Sequence, residues 1–553
     1  MRKSLKYIGI IGALLAGVVA FGQHKNIDTI EYRVVQQANA NIANGAKLNS
    51  NPAIADTMKP SRKVDYTTIN NPFSTTYIPQ TLQAVQLKGE PLDKLEHSFL
   101  NVGGGNYNTA YLEYFFNSLR SKDWDYGIHL NHLSSDYKYN DALSNFNYND
   151  INLFGKHYMQ NHIFTASADF DEHMVHDYGY NTTENIIVND VTKQQYNLFA
   201  GALQYTSQYK DSSKINHDIK VSYYNYSESN KDSVSGHNTI ENNFDLDGHI
   251  SAFVQKQKVD IKFMAQYYGD NYNNGSTTAW NLCINPYVAT VEKHWDAHIG
   301  LKAYLDAVNG GTTIEPDLRV RYHIADNAAI AYAGIDGDRQ YNSYRSLTTM
   351  NPFLQDTINY QYTTIAYHIF LGFTGSITNQ LTYDVNGSES QVKNMPLFIT
   401  DTNEFLRNRF TVVYDNVQEL NAHGELGYRM KEDIRFTLSG DWYQYSSTNQ
   451  LETWYHPTLK INLLGEYTLM TKYILRAELY YVNSQYAPEY IDGVLTAKQL
   501  SGYPDLNLGV DYKYNKFFTA FLHLNNLANT AYMQWDNYPT QRFNFMLGAR
   551  LTF

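Results

Sequence analysis

Residues 541–553 read Gln-Arg-Phe-Asn-Phe-Met-Leu-Gly-Ala-Arg-Leu-Thr-Phe. Phe543, Phe545, Leu547, Ala549, Leu551 and Phe553 alternate with Arg542, Asn544, Met546, Gly548, Arg550 and Thr552. An extended strand puts these two sets on opposite faces, so every apolar side chain except Met546 shares one side. One face suits lipid and the other suits water. A soluble sandwich can also bury such a face, but a chain that ends on an aromatic residue is less usual there.

The same alternation recurs upstream. Leu318, Val320, Tyr322 and Ile324 enclose Arg319, Arg321 and His323; Ile434, Phe436, Leu438, Gly440 and Trp442 enclose Arg435, Thr437, Ser439 and Asp441. Further runs start at Leu459, Tyr473 and Leu506, with Lys460, Glu466, Arg476, Glu478, Asp511 and Lys513 on their polar faces. Each run is about as long as the roughly 9 to 11 residues that a tilted transmembrane strand needs. Short polar breaks, among them Ser121-Lys122-Asp123, Gln255-Lys256-Gln257, Ala325-Asp326-Asn327, Lys431-Glu432-Asp433 and Asn515-Lys516, mark every second junction. The other junctions are longer, over residues 334–359, 386–403 and 483–503. This predicts an all-β, transmembrane, antiparallel up-and-down β-barrel with short periplasmic turns and long extracellular loops. Counting back from residue 553 gives about 22 strands, within a range of 18 to 22, the first near residues 97–105.

The opposite end of the chain fits export. Arg2, Lys3 and Lys6 precede an apolar run over residues 7–21, with Ala20 and Gly22 before Gln23, which is the layout of a cleavable signal over residues 1–22. The run is shorter than the roughly 20 residues of a spanning helix. Losing those three cations leaves 40 basic against 55 acidic residues, a mature net charge of −15. Such acidity argues against nucleic acid as a partner. Mean hydropathy is −0.48, too low for a helical membrane protein but compatible with strands whose inner faces are wet. With 49 Tyr and 26 Phe, the chain has the aromatic residues a barrel places in its girdles. Cys283 is the only cysteine, which excludes an intramolecular disulfide and thiolate clusters.

Residues 23–96 lack any sustained period and carry Pro52, Pro60, Pro72, Pro79 and Pro91. They are read as an arm, periplasmic or lumen-filling, ahead of a barrel over residues 97–553.

The terminal strand resembles the C-terminal assembly signal of bacterial outer-membrane β-barrels through Gly548, Leu551 and Phe553, with Met546 and Leu551 departing from the commoner polar and aromatic residues. Residues 506–553, with Phe521-Leu522-His523-Leu524-Asn525-Asn526-Leu527 and Tyr538-Pro539, resemble the closing hairpin of TonB-dependent receptor barrels. Asn51-Pro52, Asp65-Tyr66, Gly104-Gly105-Asn106-Tyr107-Asn108 and Asn117-Ser118-Leu119-Arg120 resemble a Bacteroidota group of outer-membrane proteins, similar to that receptor barrel without its plug domain. Asp28 to Val35 also look like the short energy-coupling box of those transporters, although an edge strand or plain leader is the simpler reading. The resemblance implies the outer membrane of a Gram-negative bacterium, contact with its lipid, and assembly by the barrel-assembly machinery. It also implies other outer-membrane proteins or lipoproteins as partners.

Candidate lumen-lining residues are Arg435, Asp441, Lys460, Glu466, Arg476, Glu478, Asp511, Lys513, Arg542 and Arg550; a salt-bridged interior explains them as well as a selective pore does. Asp171, Glu172, His173, His176 and Asp177 are the one dense group of metal-capable side chains. Loop acidity accounts for them equally, so no metal is assigned. There is no Gly-x-Ser-x-Gly elbow and no His-Glu-x-x-His pair. No catalytic residue and no cofactor is expected. The function expected is a passive or gated solute channel, the alternative a non-transporting accessory or scaffold subunit of a larger outer-membrane complex.

Overall fold

A computed structural model of the protein describes residues 95–553, apart from 120, 140–141, 181–192, 211–212, 231–238, 273–274, 307–310, 356–357, 403–405 and 432. The signal segment, the arm to residue 94 and the energy-coupling resemblance at Asp28 to Val35 lie outside the described residues.

The terminal alternation becomes a strand over Asn544–Thr552, one of 22 in a single antiparallel sheet. In chain order the first eleven are Ser98–Gly105, Ala110–Asn117, Trp124–Ser135, Phe146–Tyr158, His162–His176, Lys193–Ser207, Asn216–Asn230, Ile240–Val254, Gln257–Tyr272, Gly275–Val291 and Trp295–Asp306. The rest are Gly311–Ala325, Ala329–Tyr341, Tyr362–Ser376, Leu381–Thr400, Phe410–Met430, Ile434–Ser447, Leu459–Leu469, Tyr473–Val482, Tyr503–Lys513, Phe518–Asn525 and Asn544–Thr552. Each pairs with its neighbours in sequence, and the ring closes where Phe99 faces Thr552 and Gly105 faces Met546. Closure leaves no sheet edge, which a strand in hydrocarbon cannot tolerate because nothing there hydrogen-bonds its free N–H and C=O groups.

The outer face is apolar and exposed. Ile299 is 60% exposed, Ile314 65% and Leu547 60%, while their sequence neighbours point inward. An exposed apolar band of this extent belongs in lipid rather than water. Among the described residues, no helix is long and apolar enough to cross a membrane.

Connections at the end where the chain terminates are short, and several rest on left-handed residues: Gln255 (φ 59), Asp326 (φ 42), Lys431 (φ 54) and Met470 (φ 52). The longest connections are at the other end. One expected loop, 386–403, is largely strand, and another, 334–359, begins as strand. Ala329–Tyr341 continues past Gly334, and Leu381–Thr400 runs through residues 386–400, leaving only 401–409 as a loop. Past the apolar band, residues 336–341 and 386–394 are mostly polar on both faces, while residues 395–399 are apolar and bury Leu397 and Phe398 in the cluster of the mouth, so the alternation ends before the strand does. A bulge between Val392 and Met395, with Asn394 at φ 51, further breaks the period. Residues 483–503 likewise hold a separate hairpin, Gln485–Ile491 with Val494–Leu500.

At the seam, Gly548 is required by packing. A Cβ there would stand 2.2 Å from Phe521 Cζ and 2.3 Å from the Val102 carbonyl oxygen. Phe521 is buried in the space this leaves.

Candidate functional site

The inner wall is a polar surface satisfied by side chains on neighbouring strands. Arg550 donates from Nε to Asn101 Oδ1 at 2.7 Å, and Asn101 donates to Glu113 at 2.6 Å; Glu113 also accepts from Tyr111 and faces His129 at 3.1 Å. Arg476 donates to Glu466 (3.2 Å) and to Asp511 (3.0 Å). Asp441 lies 2.8 Å from His423, and Lys460 stands 5.9 Å above the Tyr443 ring. Arg435 is opposite Glu466 and Arg429, Glu478 is opposite Asn507, and Lys513 ends its strand opposite Thr519. Arg542 precedes the last strand, which begins at Asn544, and donates to the Asn529 carbonyl at 3.0 Å. Alternation over residues 541–553 therefore runs three residues ahead of the strand itself.

The structure does not gather the metal-capable group. Within strand His162–His176, His173 turns to Asp150 (3.1 Å), while Glu172 on the other face accepts from Asn149 and Gln195. His176 contacts the Asn145 carbonyl, and Asp177 is buried against Arg409. Alternating strand geometry sends neighbours apart. No set of three such side chains converges among the described residues.

The feature that defines the site lies at the long-loop end. Asp177 follows the fifth strand and Arg409 precedes the sixteenth, half a ring away, yet Arg409 Nε donates to Asp177 Oδ2 at 2.9 Å. Gln194 donates to the same oxygen at 3.0 Å, and Asn408 donates to the Asp177 carbonyl at 2.6 Å. Tyr538, from the connection before the last strand, donates to the Asn408 carbonyl and stacks on Phe353 at 3.7 Å between ring centres. Tyr178 donates to the Pro539 carbonyl at 3.1 Å. Contacts between walls half a ring apart can only be made across the mouth.

These loops share one hydrophobic cluster. Tyr344, Leu347, Leu354, Trp454, Leu397 and Phe410 are fully or almost fully buried in it. Its centre is the short helix Tyr344–Met350. Ser343 caps this helix, accepting from Ser346 N at 3.2 Å, and Pro352 follows its end. Tyr344 and Leu347, three apart, face the wall. There Tyr344 donates to Glu228, Tyr226 meets Thr348 at 2.8 Å, Tyr196 donates to the Pro352 carbonyl at 2.7 Å and Glu241 accepts from Arg345 N at 3.1 Å. Burial raises the Tyr344 phenol well above its ordinary pKa, reinforced by the Glu228 charge, so it stays a donor. In residues 448–458, burial lowers the His456 imidazole below its ordinary value, against the effect of its 2.7 Å contact with the Trp454 carbonyl.

The tyrosine- and asparagine-rich residues 341–360 suit partner contacts or a loop folded over a pore equally well by sequence, and in the structure the described residues among them fold over the mouth. The Ser343 cap and Pro352 were a signal for the helix, but nothing local pairs Asp177 with Arg409.

No family model matches the chain, and no curated protein does. Solved structures do. The chain is similar to the FrpB iron transporter of Neisseria meningitidis at 10% identity and a TM-score of 0.68, over 84% of this chain and 82% of that one. It is also similar to a mutant ferric enterobactin receptor of Pseudomonas aeruginosa in complex with enterobactin (12%, 0.65, 83% and 82%). A third is the copper transporter OprC (11%, 0.61, 83% and 81%). The fold is thus the closed, 22-stranded antiparallel barrel of these transporter and receptor structures.

Proposed function

We propose that this protein is an outer-membrane barrel for solute passage, gated at its extracellular mouth by its own loops. The observation that carries this reading is the Asp177–Arg409 contact between opposite walls, set in a shared cluster above a wall of charged and hydrogen-bonding side chains. A ring of 22 strands encloses more space than its side chains fill, so a lid over it controls passage. Similarity to receptor and transporter barrels supports the same reading. The export signal over residues 1–22, the Bacteroidota-like character and the missing plug belong to this proposal, as does insertion through Gly548, Leu551 and Phe553. Arg435, Asp441, Lys460, Glu466, Arg476, Glu478, Asp511 and Arg550 would meet the solute, and no covalent chemistry is assigned to them.

A closed mouth also suits the second reading, an accessory subunit that transports nothing. Liposome swelling with small sugars and amino acids separates the two, using forms from which the lid loop, residues 342–361, is excised, with and without residues 23–96. Swelling by either form supports passage. Absence of swelling by both, with stable co-purification of another outer-membrane protein, supports the accessory role.

A further inference from the structure

Below the lid, the inner wall holds a cavity of about 490 Å³ whose lining comes from the strands between Lys193–Ser207 and Gly311–Ala325. Its size falls within the range of small-molecule sites, roughly 300 to 1,000 Å³. Most of its charges are already matched. Arg319 pairs with Asp336 at 2.8 Å, His298 with Asp317 at 2.8 Å, and Lys302 donates to the Gly337 carbonyl at 2.7 Å beside Asp338. On the neighbouring strands, Asp260 takes both Lys258 (2.9 Å) and His249 (3.1 Å).

Charges of both signs remain. Lys262 is directly opposite His249 on one side and Asn285 on the other, so no carboxylate faces it across either strand. Its ammonium instead lies 5.0 Å from the Tyr287 ring centre, and that ring is held against His298 at 4.2 Å. Lys220 is directly opposite Asp247 and its charge acts on that carboxylate, leaving both heads on the cavity wall for a solute to bridge. Asp218, two residues from Lys220, accepts only neutral donors, Gln204 (2.8 and 2.9 Å) and Thr206 (2.8 Å). A simple anion entering here meets Asp247 and Asp218, and a simple cation meets the two lysines. A solute bearing both charges satisfies each side, because burying a charge is favourable only when an opposite one meets it.

We infer that this cavity binds small zwitterions, molecules carrying an ammonium and a carboxylate, of the amino-acid and short-peptide class. Lys262 and Lys220 take the carboxylate; Asp247 and Asp218 take the ammonium. The site names a solute class for the proposed passage, and its biological use rests on that reading, but binding does not. Calorimetry on the purified full chain in detergent tests it, with trialanine as probe and its N-acetylated, C-amidated form as the control. The expected result is saturable trialanine binding and at least tenfold weaker binding of the capped form. Lys262→Met and Asp247→Asn should each weaken trialanine tenfold or more, while Lys262→Arg, which keeps the charge, retains it. Equal binding of the capped peptide, no trialanine binding, or indifference to both Lys262→Met and Asp247→Asn overturns the inference. Trialanine binding without liposome swelling would count against passage and leave the site standing.

Discussion

At single residues the account turns on one glycine and one buried ion pair. A methyl group at position 548 cannot fit beside Phe521 and the Val102 carbonyl without moving the seam. Gly548→Ala should therefore destabilise the barrel by about 1–3 kcal/mol, the usual cost of overpacking, read as a lower midpoint in urea unfolding in micelles. Phe521→Leu should recover part of that loss, but not the clash with backbone. The Asp177–Arg409 pair predicts a different signature. Removing Arg409 takes the opposite charge from buried Asp177, which keeps the bond from Gln194, and should cost up to about 3–5 kcal/mol. That cost should fall on the lid, so Arg409→Ala should raise proteolysis of residues 401–409 while leaving the strands' hydrogen exchange unchanged. Replacing both partners by apolar residues should be milder than either single change. The terminal alternation and Gly548 were legible in the sequence because a strand's two-residue period is local. The ion pair was not, because its members are 232 residues apart and meet only once the ring has closed.

At the level of elements, strands within the apolar band were readable and their extensions were not. Phe436, Leu438 and Trp442 face outward as their spacing indicates. Residues 386–394 looked like a loop because, past the band, neither face needs to be apolar, and residues 395–400 because Leu397 and Phe398, on opposite faces, are both buried by the mouth cluster. The dense acidic and imidazole run at 171–177 looked like one group for a related reason, since a strand divides successive residues between its two faces. Among the loops, residues 448–458 carry a pH dependence. His456 is held neutral by burial, so its folded pKa lies below its ordinary 6.5. The stabilisation it gives is complete above about pH 6.5 and declines as the pH falls toward the folded value, where the unfolded loop binds a proton more readily. Protection of 448–458 against hydrogen exchange, with the intrinsic pH dependence of the rates divided out, should fall below pH 6.5, and His456→Gln should remove that dependence. An unchanged profile in the variant would assign it to another group.

For the whole molecule, closure of the ring and closure of the mouth are separate facts with separate causes. The ring closes because strands in lipid must satisfy every backbone group, a demand written into each strand's alternation. The mouth closes because Tyr344, Leu347, Trp454 and Tyr538, from distant connections, and Phe410, at the start of its strand, bury apolar surface together. Beyond the three-residue spacing of Tyr344 and Leu347, nothing local links these residues, because they come from separate parts of the chain and meet only across the mouth. Tyr341 and Tyr362 face each other in register, so residues 342–361 can be replaced by a tight Asn-Gly turn without disturbing either strand. Single-channel conductance in planar bilayers, before and after that excision, reads whether the loop shuts the mouth. It should be recorded both in the full chain and in the chain lacking residues 23–96. The account predicts little conductance with the loop present and stable, large openings once it is removed, in at least the shorter chain. An intact protein that conducts freely, or an excised one that stays shut in both forms, would contradict it.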